Sequence, residues 1–516
     1  MRSLFFSALL FLLFAGSANA QTPFPGRTLV SASAELETHL VEQDGTIVQT
    51  WHGAQRPRTA AYLLDDGSIL RPCKDVNGSF VAITAGGRLQ RISTDDVVVW
   101  DILISGPDHM QHHDIQPMPN GNVLAIVWQR KTAAEAAAMG RVTAMGSEIW
   151  PDAIYEIEPT GPTSSNVVWE WHVWDHLIQD IDPGLPGYGV LADHPELIDI
   201  NFHEVTGGSW THLNSVDYDP ERDLIIFSSR NFDEVYIIDH STTTAEAAGH
   251  TGGSHGKGGD LLYRWGNPQT YGRGDKTDRV FFVTHGANFI DPGLPGYRNI
   301  LVISNGDRDG DTNDYFEVFE ITPATDIHGN FVINPGEPFG PAAAVWSYRD
   351  PDSLYFGATQ GNPQRLPNGN TFLCLVDNGH MREVTEAGAT VWDWQYGARV
   401  GRALKYYEPG ASAVPDGQIT PTVAAYRLLF PQPNPFNPQT VIRFELDLPG
   451  RVEVAVFDLS GRRVALLAEG DYEVGKYSAT WNGRDNTGRL AASGNYLVRM
   501  RAGSSFVANQ TITLLK

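Results

Sequence analysis

Two cysteines in 516 residues are too few for a disulfide framework or a multi-cysteine metal site. Cys73 and Cys374 stand about three hundred residues apart, and two buried thiols are the expectation for them. Basic residues are also scarce: 37 Lys and Arg against 61 Asp and Glu give a formal net charge of −24. That balance excludes nucleic acid and anionic membrane surfaces as general partners. It also opposes long-range attraction of any anionic substrate, so such a substrate needs a locally positive pocket. Long apolar runs are confined to the N-terminus, and no other segment is apolar enough to cross a bilayer. Residues 1–20 start basic, continue through an apolar core and end in Ala18-Asn19-Ala20. They read as a secretory signal peptide, with Gln21 the expected start of an exported chain that is periplasmic, secreted or attached at the cell surface.

Turn-forming residues are plentiful. Gly 52 and Pro 32, with 10% aromatic residues and few long amphipathic runs, point to many short strands joined by tight turns. Two phrases recur between residue 27 and about residue 408. One is a strand ending in tryptophan, at Trp51, Trp100, Trp171, Trp265, Trp346 and Trp394. The other is a hairpin on a Pro-Asn-Gly-Asn-like turn, at 63–70, 118–124, 210–231, 290–301 and 366–372, where Asn-Gly and Asp-Gly supply positive φ. The hairpins number one fewer than the Trp strands. The missing two strands are available at Arg27-Thr-Leu-Val-Ser and Arg402-Ala-Leu-Lys-Tyr-Tyr407, if the ends of the region pair to close a ring. Four strands per repeat and six repeats describe an all-β fold, a six-bladed β-propeller over 21–409. A bent sandwich is the alternative. Residues 410–425 read as a linker. Alternating strands with glycine at each turn over 426–516 then suggest a second domain, a small Ig-like β-sandwich.

Two polar insertions interrupt the pattern. The run Gly249-His-Thr-Gly-Gly-Ser-His-Gly-Lys-Gly-Gly259 has no strand leading directly into a helix, which argues against a phosphate loop. Asp307, Asp309, Asp311 and Asp314 have the carboxylate density of a calcium loop but not the EF-hand register, so a solvated acidic loop is expected and calcium is the alternative.

Three histidine positions stand out because they fall at equivalent places in the repeats, just before a hairpin strand: His112-His113-Asp114, Thr211-His212-Leu-Asn214 and Thr284-His285-Gly-Ala. Positions repeated around a propeller converge on its channel. The hairpin from Trp210 to Asn231 also carries Arg230 at its far end, and a hairpin returns its chain to where it began, so Arg230 should sit beside His212. Zinc bound by three histidines is a competing reading, but no carboxylate repeats with them and Arg230 would repel a cation. A structural role, each histidine bonding the next blade, is another. An imidazole and guanidinium rim suits an oxyanion.

These residues resemble a family. His112-His-Asp-Ile-Gln-Pro-Met-Pro-Asn-Gly-Asn, His212-Leu-Asn-Ser-Val-Asp-Tyr-Asp, Ser228-Ser-Arg230, Gly258-Gly-Asp-Leu-Leu-Tyr-Arg-Trp-Gly-Asn-Pro-Gln and Asn362-Pro-Gln-Arg-Leu-Pro-Asn-Gly-Asn together are similar to the bacterial arylsulfate sulfotransferases. The resemblance implies a six-bladed propeller that moves a sulfuryl group from an aryl sulfate donor to a phenolic acceptor, through a sulfated histidine and without a nucleotide or other cofactor. It implies His285 as nucleophile, with His113, His212 and Arg230 holding the sulfate oxygens and Asn214 beside them. His112 is the alternative to His113, because the doubled histidine leaves the register open. One histidine must also exchange the phenol proton, and His212 is favoured over His113 for it. Around His285 the chain reads Val283-Thr-His-Gly-Ala-Asn-Phe289, where relatives often carry an acidic or aromatic residue, and it lacks the closely spaced cysteine pair of some members. A secreted propeller that binds sulfated or phenolic ligands, or a partner protein, without turnover is the alternative function. Towards the C-terminus, Phe430-Pro-Gln-Pro-Asn-Pro-Phe-Asn-Pro, Phe457-Asp-Leu-Ser-Gly-Arg and Trp481-Asn-Gly-Arg-Asp-Asn-Thr-Gly resemble a type IX secretion sorting domain, related to the Ig-like domain of flagellar hook-capping proteins. That resemblance implies the secretion machinery as a partner.

Overall fold

The computed structural model describes residues 22–407 and 426–515, apart from 79, 81–83, 206, 307–315, 327–328, 351–356, 429–435, 447–448, 458–461, 487 and 503–505. The signal peptide expected at 1–20, the linker at 410–425 and the acidic segment from Asp307 to Asp314 lie outside the described residues.

The chain folds as two compact units. The first holds six four-stranded antiparallel sheets, the blades of a propeller. Blade one is closed by the two ends of the region: Leu404–Tyr406 pairs with Arg27–Val30, with Arg27 opposite Tyr406 and Leu29 opposite Leu404, and Glu37–Val41 and Ile47–His52 follow. Blades two to six begin with Tyr62–Leu63, His109–Pro117, Leu213–Asp219, Thr284–Phe289 and Asn362–Arg365. These first strands meet across the centre through side-chain amides. Asn214 Nδ2 donates to the Thr284 carbonyl at 2.7 Å, Asn288 Nδ2 to Pro363 at 3.0 Å, and Asn362 Nδ2 to Ala403 at 2.9 Å.

Each expected Trp strand is the outermost strand of its blade. The residue type has a physical reason, since an indole buries a large apolar ring and still carries one N–H donor. Trp100 Nε1 donates to the Ser164 carbonyl at 3.3 Å, Trp169 to Thr242 Oγ1 at 3.1 Å, Trp346 to the Glu386 carbonyl at 2.7 Å and Trp392 to the Gln43 carbonyl at 2.9 Å. Each of these bonds runs to the following blade. Between blades the core is apolar: Ile126, Ile154, Trp171, Trp210, Val216 and Phe227 form part of one continuous cluster. Both cysteines are free and buried, and burial pushes the Cys73 and Cys374 thiols up to about 11 and about 12.

At the hub, Asp114 gathers four blades on one carboxylate. Tyr62 Oη donates to its Oδ1 at 2.9 Å, the Val216 amide to its Oδ2 at 3.2 Å, and Arg402 Nη1 closes an ion pair with Oδ2. Burial pushes this carboxyl above its ordinary range, against the opposing pull of Arg402. A second buried pair, Lys405 Nζ to Glu383 Oε2 at 2.6 Å, ties the closing strand to blade six.

The second unit is a two-sheet sandwich. Tyr426–Leu428, Thr440–Leu446 and Gly475–Trp481 form one sheet; Arg463–Tyr472, Gly450–Phe457, Gly494–Ala502 and Phe506–Leu514 form the other. Its core packs Phe444 and Trp481 with Val452, Val454, Val456, Met500 and Ile512.

Removing one partner of a buried ion pair strands the other charge. Arg402→Met is therefore expected to lower unfolding free energy by about 3–5 kcal/mol, read as an earlier urea midpoint of the full chain. A change under about 1 kcal/mol would show that Asp114 does not depend on Arg402.

Candidate active site

The site is built at a bend repeated in four consecutive blades. Each of these blades has a left-handed residue in or just before its innermost strand: His113 within His109–Pro117 at φ 51°, His212 at 52°, Val283 at 60° and Gln360 at 61°. Histidine accepts this region at modest cost, whereas a β-branched valine is strained there, by about 1–3 kcal/mol. His113 and His212 are thus equivalent, as the repeats suggested. His285 is not; it lies two residues past its corner. A bulge follows between His285 and Asn288, as register irregularities do in blades three and four. Gly286 within it has φ 65°, and a Cβ there would meet the Gly361 carbonyl oxygen at 2.8 Å, so glycine is required.

His285 is held in one tautomer. Its Nδ1 lies 2.9 Å from the Val283 carbonyl and 2.7 Å from Asn305 Oδ1. Asn305 cannot be flipped, because its Nδ2 donates to the carbonyls of Gly357 at 2.8 Å and Gln360 at 3.0 Å. Nδ1 therefore carries the hydrogen and Nε2 the lone pair, and no protein hydrogen bond engages Nε2 among the described residues. Burial, with Arg230 adding to it, pulls this imidazole down to about 4, so it is neutral near pH 7.

The doubled histidine resolves into two roles. His113 lines the cavity, while His112 is fully buried behind it and does not reach the cavity. His112 stacks on Trp128 at 3.9 Å, and its Nδ1 lies 2.7 Å from His113 Nδ1. Its Nε2 comes within 2.7 Å of Asp152 Oδ1, off the in-line direction of a hydrogen bond. Asp152 is itself buried, bonded through Oδ2 by Thr211 Oγ1 and by the Leu213 amide at 3.1 Å. Burial pushes its carboxyl up to about 7. On the neighbouring blade, His212 Nδ1 lies 2.8 Å from Ser209 Oγ, and its ring is 4.8 Å from that of His113. Burial first, and neighbouring imidazoles and Arg230 second, hold both His113 and His212 well below 6.5.

His113, His212, His285 and Arg230 all line one cavity of about 530 Å³. The hairpin argument for Arg230 holds: its backbone N–H bonds the His212 carbonyl at 3.1 Å. Asn214 lines a small pocket with His113 and His285, but its amide is already engaged. Its Nδ2 is taken by Thr284, and its Oδ1 accepts from Ser228 Oγ at 2.5 Å, so it latches blade four to blade five. Two further cations in the cavity wall had no sequence signal, Arg58 and Arg399. Arg399 is paired with Asp377 at 2.9 Å, whereas Arg58 Nε is buried without a hydrogen-bond partner among the described residues. Trp128 and Trp150 supply an aromatic wall. No carboxylate is among the described residues that line the cavity. Such a chamber accepts an anion attached to an aromatic ring.

A depressed histidine pKa is also a stability statement. The unfolded chain binds a proton at His285 near pH 6.5 and the folded chain only near 4, so the folded state loses ground as pH falls between those values. The expected loss from His285 is about 3 kcal/mol between pH 7 and 4. Urea unfolding at several pH values should therefore show a shallower acid dependence in His285→Gln than in the native sequence. Equal slopes would mean that His285 titrates normally.

Sequence comparison agrees with this geometry. The sequence model of the family described as Arylsulfotransferase (ASST) matches residues 103–374, more than half of the 516. That of the FlgD Ig-like domain matches 434–505. No curated protein matches. Among solved structures the chain is similar to a protein of unknown function from Bacteroides caccae, with 12% identity over 74% of this chain and 100% of that one and a TM-score of 0.40. It is similar also to a streptogramin B lyase, at 10% identity over 74% and 85% with a TM-score of 0.33. A third is regucalcin of Agrobacterium tumefaciens, described as a calcium-binding protein, at 12% identity over 68% and 86% with a TM-score of 0.32. The family match spans every histidine and arginine of the expected sulfate site from His112 to His285, and the chain belongs to the arylsulfotransferase family.

Proposed function

We propose that the chain transfers a sulfuryl group from an aryl sulfate to a phenol through a sulfated His285. The observation that carries this reading is the locked tautomer: Nδ1–H held by Asn305 and Val283, with a neutral Nε2 lone pair on a residue lining a cavity with unneutralised guanidinium charge. Nε2 attacks sulfur, the N–S bond forms and the S–O bond to the aryl group breaks. Because Nδ1 keeps its hydrogen, the product is a sulfated imidazolium, a far better leaving group than a neutral ring would give. Arg230 and the flanking imidazoles stabilise charge on the transferred oxygens. The scheme draws on side chains alone.

The departing phenolate needs a proton, and the incoming phenol must lose one. The chain of contacts from Asp152 through His112 to His113 supports His113 for this role, in place of the His212 favoured above. With burial pushing the Asp152 carboxyl up to about 7, the relay has two protonation states, one proton apart, near neutral pH. In one, His113 Nε2–H gives its proton to the phenolate; in the other, Nε2 takes a proton from the acceptor phenol. The product phenol leaves between the two steps, and the reverse attack by the acceptor oxygen on sulfur breaks the N–S bond.

Export across the inner membrane through residues 1–20, and recognition of the second domain by a secretion apparatus, complete the reading. The described residues hold no helix long and apolar enough to cross a membrane.

Intact-mass measurement after mixing with an aryl sulfate should show one sulfuryl adduct that peptide mapping places on His285. His285→Ala should lose both adduct and transfer, and Arg230→Ala should lower kcat about 10²–10³-fold while the chain stays folded. Transfer undiminished in His285→Ala would reject the assigned nucleophile. Asp152→Asn is expected to change the pH profile of kcat with the adduct still forming. An unaltered profile would remove Asp152 from the proton path.

A further inference from the structure

Away from the cavity, the end of blade three and the Gly-rich connection of blade four bring three ligating side chains to one point. His176 follows the outermost strand of blade three, Ser164–His172. His250 and Asp260 belong to the connection between Glu234–Asp239 and Tyr263–Trp265 in blade four. Their ligand atoms all lie within 4.8 Å of one another. His176 Nδ1 is 2.9 Å and His250 Nδ1 is 2.7 Å from the same oxygen, Asp260 Oδ1.

The donor pattern around His176 fixes what faces that point. Its Nε2 lies 2.9 Å from the Ala247 carbonyl, which can only accept, so Nε2 carries a hydrogen. In the neutral ring Nδ1 is then a lone pair, and it confronts a carboxylate lone pair at 2.9 Å inside the protein, where His176 is fully buried. A cation between them converts that repulsion into attraction. The Nε2–H to carbonyl bond is also the usual support of a metal-bound imidazole, since it orients the ring and raises its basicity. His176 is further fixed by stacking on Trp171 at 5.5 Å and 9°. Trp171 Nε1 in turn bonds the Gly259 carbonyl at 2.7 Å. Glycine is required at 259, where a Cβ would stand 2.0 Å from the Ala247 carbonyl oxygen and 2.7 Å from His176 Nε2.

His250 supplies the second observation. Its side chain is 60% exposed, yet its Nδ1 turns inward to an oxygen that His176 already meets. One imidazolium would suffice for one carboxylate oxygen; two imidazole nitrogens and an oxygen converging on one point form a ligand set.

We propose that His176 Nδ1, His250 Nδ1 and Asp260 Oδ1 bind one divalent transition-metal ion of the zinc type, with water completing the coordination on the exposed side. Two imidazoles and one carboxylate are a donor set that zinc takes in tetrahedral geometry, with N and O at about 2.0–2.2 Å. None of the three residues lines the sulfate cavity, so the ion clips the Gly-rich connection of blade four to the end of blade three and stands outside the sulfuryl-transfer steps.

The test uses the full chain stripped with a chelator and dialysed, then titrated with zinc and, separately, with cobalt. The native sequence should take up one equivalent of zinc, melt at a higher temperature with it, and show the visible absorption of tetrahedral cobalt. His250→Ala removes an exposed ligand, so it should fold normally, as checked by circular dichroism, and lose affinity at least tenfold. His255→Ala, on the same connection but outside the cluster, should bind as the native sequence does. No stoichiometric zinc in the native chain would overturn the site, leaving an imidazolium–carboxylate network in its place. Equal affinity in native and His250→Ala proteins would overturn it as well, as would a larger loss in His255→Ala than in His250→Ala.

Discussion

One buried carboxylate organises the ring. Asp114 belongs to blade three, yet it is bonded by Tyr62 of blade two, the Val216 amide of blade four and Arg402 next to the closing strand of blade one. A propeller has no single core; each blade packs on two neighbours, and nothing in pairwise packing alone sets the shape of the channel. A charge that cannot be left unpaired in the interior supplies that constraint, because every partner must arrive at once. The cavity-lining histidine next to it inherits the precision. His113 is the residue before Asp114, so the contacts that fix the carboxylate also fix the strained corner from which the imidazole projects.

The charge distribution follows the same economy of position. A chain with a formal net charge of −24 repels anions at a distance. Within the cavity, however, Arg58 and Arg230 line the wall beside Arg399, whose charge is paired with Asp377, and no carboxylate is among the described residues of the lining. Fields inside a low-dielectric chamber are set by the groups that line it rather than by the total charge. Burial first, and Arg230 second, keep His285 unprotonated.

What the sequence made legible was local or repeated. The six Trp strands were readable because the same residue recurs, in four of them with an indole that bonds the next blade. His212 and Arg230 were readable because a hairpin joins them. The rest depended on register and on distant partners. His285 stands two residues past the left-handed corner that His113 and His212 themselves occupy, an offset of backbone conformation that a list of motifs does not reveal. Asn305 follows a strand that pairs with the one carrying His285, with Thr284 opposite Ser304, so only a register count identifies it as the group that orients the His285 ring. His112 and His113 are adjacent letters with opposite fates, and the split is decided by Trp128 and Asp152 from other strands. Asn214, plausible as a ligand for sulfate by proximity alone, is spent on holding Thr284.

The closing strand has a kinetic meaning as well as an architectural one. Asp114 and Arg402 are 288 residues apart in the chain, and bringing the ends of a flexible loop of that length together costs on the order of 5 kcal/mol of chain entropy. Leu404–Tyr406 is the last strand of the ring to be synthesised, and it supplies the inner edge of the blade that begins the chain. The ring is therefore closed only once its final strand is available, whereas the blades that carry His113, His212 and His285 are tied to one another by contacts of their own, Asp152 with Thr211 and Leu213 and Asn214 with Thr284. What the late segment adds is Arg402 at the shared Asp114 carboxylate, so the hub beside these histidines is completed last.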